Sequence, residues 1–94
     1  DFISAARAYE LGFINRVSEG PSLDAAKELA AKIAANGPLA LAASKGVIRD
    51  SHTWTDDEMW TKQQQYVAPV FISEDAREGA AAFAEKRNPY WQGA

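Results

Sequence analysis

The 94-residue length, 47% hydrophobic content and net charge of −3 indicate one globular domain or less, without the basic excess typical of nucleic-acid binding. The absence of cysteine excludes disulfides and thiolate metal sites and favours a reducing, cytoplasmic location. No segment approaches the ~20 apolar residues that span a bilayer, so we expect neither a membrane nor a nucleic acid as partner. Because Met59 is the only methionine and nineteen residues are small alanines, we predict a fragment whose helices pack on something else.

The first third of the chain predicts two helices joined by a short extended piece. Ser4 is placed to cap a short first helix, and Gly12 lies where a left-handed residue often follows a helix end. Residues 13–17 are predicted to be extended. Residues 22–36 then show apolar and charged side chains on opposite faces, as in an amphipathic helix, closed by Asn36-Gly37.

Two further helices are predicted in the middle of the chain. Pro38 suits the first turn of a helix that runs to about Asp50 and is apolar on much of its circumference. Thr55 and Glu58 form a capping-box pattern at the start of the next helix, with Trp54 and Met59 as its hydrophobic staple. Pro69 is expected to bend or end this helix, because it lacks a backbone N–H.

The closing helix has the clearest signals of all. Ser73 is placed to cap it, and Glu74 and Asp75 favour its positive N-terminal end. We predict that it runs to Arg87, with Lys86 and Arg87 near the negative end, and that Asn88-Pro89 stops it.

The residues offer little self-contained chemistry. His52 is the sole histidine, and a solvated side chain near a helix end explains it better than a metal ligand or a base. Residues 56–58 are acidic, but their place in the first turn of a helix favours capping over cation binding. We therefore predict no metal site and no catalytic residue in this chain.

Three segments, in order, resemble the C-terminal end of the enoyl-CoA hydratase/isomerase family, the crotonases. Residues 3–17 resemble the family's short alanine-rich helix followed by Gly-apolar-apolar-Asn-x-Val. Residues 36–45, beginning Asn-Gly-Pro-Leu-Ala, resemble the helix that follows. Residues 73–87, from Ser-Glu-Asp-Ala-Arg-Glu-Gly to Phe-Ala-Glu-Lys-Arg, complete the series. The resemblance covers almost the whole chain.

The resemblance implies a mostly α chain, the helical C-terminal oligomerisation region of a ClpP/crotonase-like α/β spiral fold whose core is missing here. Residues 1–21 would be the end of the core region and residues 22–94 the helical part through which subunits form trimers, often paired as hexamers. The implied activity is an enoyl-CoA hydratase of fatty acid or related metabolism, with a coenzyme A thioester as substrate and no covalently bound cofactor. Its two catalytic glutamates would lie upstream.

The resemblance also implies contacts between this region and coenzyme A bound by a neighbouring subunit. Lys86 is the candidate for the 3′-phosphate, Phe83 for contact near the adenine, and Val67 for a position flanking the adenine. The structural alternative is that Lys86 only complements the helix dipole and Phe83 only packs with Ala76 and Ala80. The alternative functions are another crotonase-family activity, such as an isomerase or an acyl-CoA dehydratase, or a non-catalytic helical association module.

Overall fold

The computed structural model describes residues 1–94 and contains five α-helices and no β-strand. The helices are α1 (Ala5–Glu10), α2 (Ser22–Ala34), α3 (Pro38–Ser51), α4 (Asp56–Phe71) and α5 (Glu74–Glu85). They include 65% of the residues, which confirms the prediction of a mostly α chain. The chain divides into two units, residues 1–33 and 34–94.

No helix is both long enough and apolar enough to cross a membrane.

The first unit contains α1 and nearly all of α2. The Ser4 hydroxyl accepts a hydrogen bond from the Arg7 N–H at 3.1 Å, and Gly12 has a φ of 76°, so both predicted ends of α1 are confirmed. Residues 13–17 form no β-pairing, and α2 ends at Ala34 rather than at residue 36. No residue of this unit is buried, because its alanine-rich helices cover little apolar surface.

In the second unit, α3 packs on α4. The closest approach is at the buried Gly46 of α3, where a Cβ atom would lie only 2.6 Å from the ring of Tyr66 on α4. The Tyr66 hydroxyl also donates a hydrogen bond to the carboxylate of Asp50. A residue without a side chain at position 46 therefore lets the tyrosine ring rest on the α3 backbone.

Helix α4 begins as predicted, and Pro69 lies inside its last turn. The capping box is present, and the Thr55 N–H donates to the Glu58 carboxylate at 3.1 Å. Pro69 does not end the helix, which continues to Phe71. Proline removes only one backbone donor, and the Val70 carbonyl of this last turn accepts hydrogen bonds from the Ser73 N–H at 3.2 Å and the Ser73 hydroxyl at 2.7 Å.

The tail, residues 88–94, folds back along α5. The Asp75 carboxylate, 5% exposed, accepts hydrogen bonds from the N–H groups of Gln92 at 2.7 Å and Gly93 at 2.9 Å. The Trp91 indole donates to the Ala35 carbonyl at 2.9 Å, and a Cβ atom on Gly79 would lie 3.0 Å from the Trp91 ring. These contacts fix the tail without a large core, since Ala82 is the only buried hydrophobic residue.

Large apolar side chains are instead widely exposed. The most exposed of them, each at three quarters or more, are Phe2, Phe13, Ile48, Trp60, Phe71, Ile72, Phe83 and Tyr90. A surface so rich in large apolar groups is characteristic of a protein interface or of a domain separated from its neighbour. It agrees with the prediction that these helices pack on something outside residues 1–94.

Candidate functional site

The candidate site is the C-terminal end of α5, where the sequence places Phe83 and Lys86. The start of the helix is firmly anchored, because the Ser73 hydroxyl accepts a hydrogen bond from the Ala76 N–H at 3.0 Å. Its middle is anchored by Ala82, which is only 1% exposed. The helix therefore presents its last turn from a fixed support.

Lys86 was predicted to lie within α5, but it lies immediately after the helix. The helix ends at Glu85, and Lys86 adopts the left-handed conformation, with φ 54° and ψ 40°. The Arg87 N–H donates to the Ala82 carbonyl at 3.0 Å, the 6→1 bond of a Schellman motif. Glycine usually occupies this position, and the sequence contains none there, so the local signal for the helix end was missing.

The conformation of Lys86 is strained. It is the only residue other than glycine with a positive φ in the chain. The contact between Cβ and the following carbonyl costs about 1–2 kcal/mol for an ordinary L-residue in this region. Strain of this size persists only where surrounding contacts enforce it.

The Lys86 ammonium has no ion pair. Of the ten lysines and arginines, only Lys27, Lys45 and Lys86 make no salt bridge. Lys86 is exposed and therefore available to an anion from outside the chain. Its location just beyond the helix end also leaves dipole complementation open as a structural role.

Phe83 is exposed rather than packed. Its side chain is 88% accessible, so it does not fill a stripe with Ala76 and Ala80 within this chain. It lies in the last turn of α5, three residues before Lys86. An exposed aromatic side chain and an exposed lysine thus both belong to this end of the helix.

Arg87, by contrast, is fully engaged. Its guanidinium donates to the Glu78 carboxylate at 2.6 and 3.0 Å and to the Glu85 carboxylate at 2.6 Å. These hydrogen bonds raise the pKa of Arg87 above its usual value, and the bond with Glu78 has the largest effect. The bond from Arg87 and a second from the Tyr90 N–H at 2.7 Å lower the pKa of Glu78 to about 2. The Arg87 side chain is therefore held by two carboxylates of this chain.

Val67 lies in a different place from the end of α5. It lines an apolar groove of about 360 Å³ between α3 and α4, together with Ala43, Val47, Val70 and Phe71. Neither Phe83 nor Lys86 lines this groove. Phe83 and Lys86 therefore lie at the end of α5, whereas Val67 lies in the groove between α3 and α4.

A polar cluster that the sequence did not reveal joins α3 to α4. Arg49 donates to both carboxylate oxygens of Asp50, at 2.7 and 2.9 Å, and the Tyr66 hydroxyl donates to the same carboxylate. The hydrogen bonds from Arg49 and then Tyr66 lower the pKa of Asp50, and the bond to Asp50 raises the pKa of Tyr66. The cluster positions two helices against each other.

The remaining candidates lie where the sequence suggested. His52 is the exposed residue at the C-terminal end of α3, and the three acidic residues 56–58 occupy the first turn of α4. No group of three or more histidine, cysteine or acidic side chains is arranged to hold a metal ion.

Together, the helices and the end of α5 form a helical segment with large apolar side chains exposed on its surface. The whole chain, residues 1–94, matches the enoyl-CoA hydratase/isomerase family. The chain belongs to that family, and the predicted helical C-terminal region of the crotonase fold is confirmed.

Individual relatives agree. Enoyl-CoA hydratase EchA19 of Mycobacterium tuberculosis (strain ATCC 25618 / H37Rv) is 45% identical over 91 residues, covering 96% of this chain and 34% of that protein. Carnitinyl-CoA dehydratase of Proteus mirabilis (strain HI4320) is 41% identical, covering 97% of this chain and 37% of that protein. The crystal structure of an enoyl-CoA hydratase from Mycobacterium tuberculosis H37Rv superimposes with a TM-score of 0.94 at 52% identity, covering all of this chain and 38% of that one. The chain thus spans little more than a third of the length of these relatives.

Proposed function

We propose that the chain is the C-terminal part of an enoyl-CoA hydratase, and that the end of α5 contacts coenzyme A bound by a neighbouring subunit. The observation that carries the site is that Phe83, in the last turn of α5, and Lys86, directly after it, are both exposed, and that Lys86 makes no ion pair. Neither side chain has a partner that would explain its placement within the chain. Family membership supports the activity.

Lys86 suits the 3′-phosphate of coenzyme A. An ammonium on a long stem binds phosphate as a point charge, and a charged hydrogen bond of this kind is stronger than a neutral one. The nearby Arg87 is already neutralised by Glu78 and Glu85. Lys86 is therefore the cation at this helix end that remains free to bind the phosphate.

Phe83 suits the adenine. A base stacked on an aromatic side chain contributes about 1–3 kcal/mol as measured by alanine substitution. A ring that is 88% exposed pays little desolvation and rearrangement cost when it accepts such a partner. Val67 belongs to the proposal as a separate apolar contact in the groove between α3 and α4.

The chemical step would take place on residues outside this chain. Hydration breaks the C=C π bond of a 2-enoyl-CoA and one O–H bond of water and forms one C–O and one C–H bond, with two glutamates as base and acid and two backbone N–H groups on the thioester oxygen. No cofactor is required. Residues 1–94 would contribute binding and the packing of subunits into trimers or hexamers, supported by their exposed apolar side chains.

A substrate comparison in the full-length enzyme tests the site. Hydration of crotonyl-CoA, followed by loss of its ultraviolet absorbance, is measured alongside hydration of crotonyl-3′-dephospho-CoA. We expect Lys86→Gln to raise KM for crotonyl-CoA about tenfold, equivalent to ~1.4 kcal/mol, with little change in kcat, because the phosphate is remote from the reacting atoms. The variant should not affect KM for the dephospho substrate.

Lys27→Gln is the matched control, because Lys27 is also exposed and also lacks an ion pair. It should leave both KM values unchanged. An unchanged KM for crotonyl-CoA in Lys86→Gln would return Lys86 to a structural role. No turnover of any enoyl-CoA by the full-length enzyme would contradict the proposed activity itself.

A second candidate activity is dehydration, favoured by the 41% identity to a carnitinyl-CoA dehydratase. Hydration and dehydration are the two directions of one reaction, so the same contacts would serve either. Comparing kcat/KM for crotonyl-CoA hydration and carnitinyl-CoA dehydration separates the two. A purely associative role predicts no turnover, and a stable compact monomer of residues 1–94 in sedimentation would contradict that role.

A further inference from the structure

The turn that carries Lys86 is held by contacts on the residues that follow it. Lys86 is in the left-handed conformation, and the next residue, Arg87, is connected to α5 through its side chain. Four residues beyond Lys86, the Tyr90 N–H is also connected to α5. Both connections end on one side chain, that of Glu78.

Glu78 accepts hydrogen bonds from two directions. Arg87 donates through both terminal nitrogens, at 2.6 and 3.0 Å, and the Tyr90 N–H donates at 2.7 Å. A planar guanidinium paired with a carboxylate through two parallel bonds has a fixed orientation. The Glu78 side chain is 24% exposed, less than either the Glu85 or the Arg87 side chain.

We propose that Glu78 is a positioning residue for Lys86: by holding Arg87 and the Tyr90 backbone, it fixes the left-handed turn that carries the Lys86 side chain. This inference rests on the proposed binding of the coenzyme A phosphate by Lys86. Glu78 itself touches no substrate.

The same carboxylate also determines which cation is available. Arg87 directly follows Lys86 and would compete for a phosphate if its guanidinium were free. Its two terminal nitrogens donate to Glu78 and its Nε donates to Glu85, so the guanidinium is already paired within the chain. Glu78 is ionised across the neutral range, since its pKa is lowered to about 2 by the bonds from Arg87 and Tyr90.

Charge alone predicts the opposite effect of a substitution, which makes the inference testable. Removing the negative charge of Glu78 would strengthen phosphate binding by simple electrostatics and would release Arg87 as a second cation. Loss of the positioning role would instead weaken phosphate recognition. The two explanations therefore differ in sign.

The experiment measures phosphate recognition as the KM of crotonyl-3′-dephospho-CoA divided by the KM of crotonyl-CoA, in the full-length enzyme. We expect Glu78→Gln to lower this ratio about threefold or more while kcat changes less than about twofold. Glu85→Gln is the matched control, because it removes the other carboxylate on Arg87 and leaves Glu78 in place. It should keep the wild-type ratio.

Arg87→Lys provides a second variant should Glu78→Gln fold poorly, because it keeps the charge and loses the two parallel bonds to Glu78. It should lower the ratio as Glu78→Gln does. If Lys86→Gln lowered the ratio and these two variants left it unchanged or increased it, the positioning role would be overturned. If Lys86→Gln itself left the ratio unchanged, both the phosphate contact and the positioning role would be wrong.

Discussion

Replacing Lys86 with glycine separates the structural and binding roles of the residue at the end of α5. Lysine at φ 54° carries a steric cost of about 1–2 kcal/mol that glycine does not. Glycine also lowers the free energy of unfolding by about 0.4–1 kcal/mol, because it gives the unfolded chain greater conformational freedom. The net expectation is a gain of about 0.5–1 kcal/mol in the free energy of unfolding, together with the loss of the ammonium.

Thermal unfolding and steady-state kinetics of the full-length enzyme measure the two effects. A gain of this size raises Tm by about 1–4 °C in a domain of roughly 150–250 residues. KM for crotonyl-CoA should rise as it does in Lys86→Gln. The result would be a more stable enzyme that binds its substrate more weakly, which is expected where strain is retained for function.

Ala84→Gly is the control for this substitution. Ala84 lies inside α5 in the ordinary helical conformation, so glycine there should lower stability by about 0.5–1 kcal/mol. If Lys86→Gly destabilised the enzyme as Ala84→Gly does, the turn would not be strained and the reasoning from the left-handed conformation would be refuted.

Two further predictions concern packing and pH. Gly46→Ala should lower the free energy of unfolding by about 1–3 kcal/mol in chemical denaturation, because the new Cβ would lie 2.6 Å from the Tyr66 ring; Gly20→Ala, with open space around it, should cost much less. The pairing of Glu78 lowers its pKa from 4.5 to about 2, so its contribution to stability is complete above pH 4.5 and is lost as the pH falls towards 2. The difference in denaturation midpoint between wild type and Glu78→Gln should therefore shrink between neutral pH and about pH 3, and a constant difference would contradict this role.

Local signals in the sequence predicted most of the helix boundaries. The caps at Ser4, Thr55 and Ser73 and the left-handed Gly12 are all present. Each depends on residues within about four positions, a range over which a side chain reaches the free N–H groups of its own helix. The domain boundary at residues 21 and 22, the oligomer and the cytoplasmic location stay predictions.

The end of α5 was predicted too late, because α5 was expected to reach Arg87 and stops at Glu85. Beyond Glu85 the chain turns at the left-handed Lys86, and Arg87 pairs with Glu78, nine residues away. A prediction from the local sequence could not weigh that pairing. Pro69 was expected to bend or end α4, and it does not end the helix because it removes only one backbone donor, in the last turn.

By itself, the sequence determined the helices, their caps and the family resemblance, because each follows from local composition or from short motifs. Only the tertiary structure decided which charged side chains have a hydrogen-bond or ion-pair partner within the chain. Glu78 and Arg87 are nine residues apart on either side of a helix end, and Asp75 meets the tail seventeen residues later. Backbone folding beyond the helix brings these groups together and leaves Lys86 as the cation at this helix end without an ion pair.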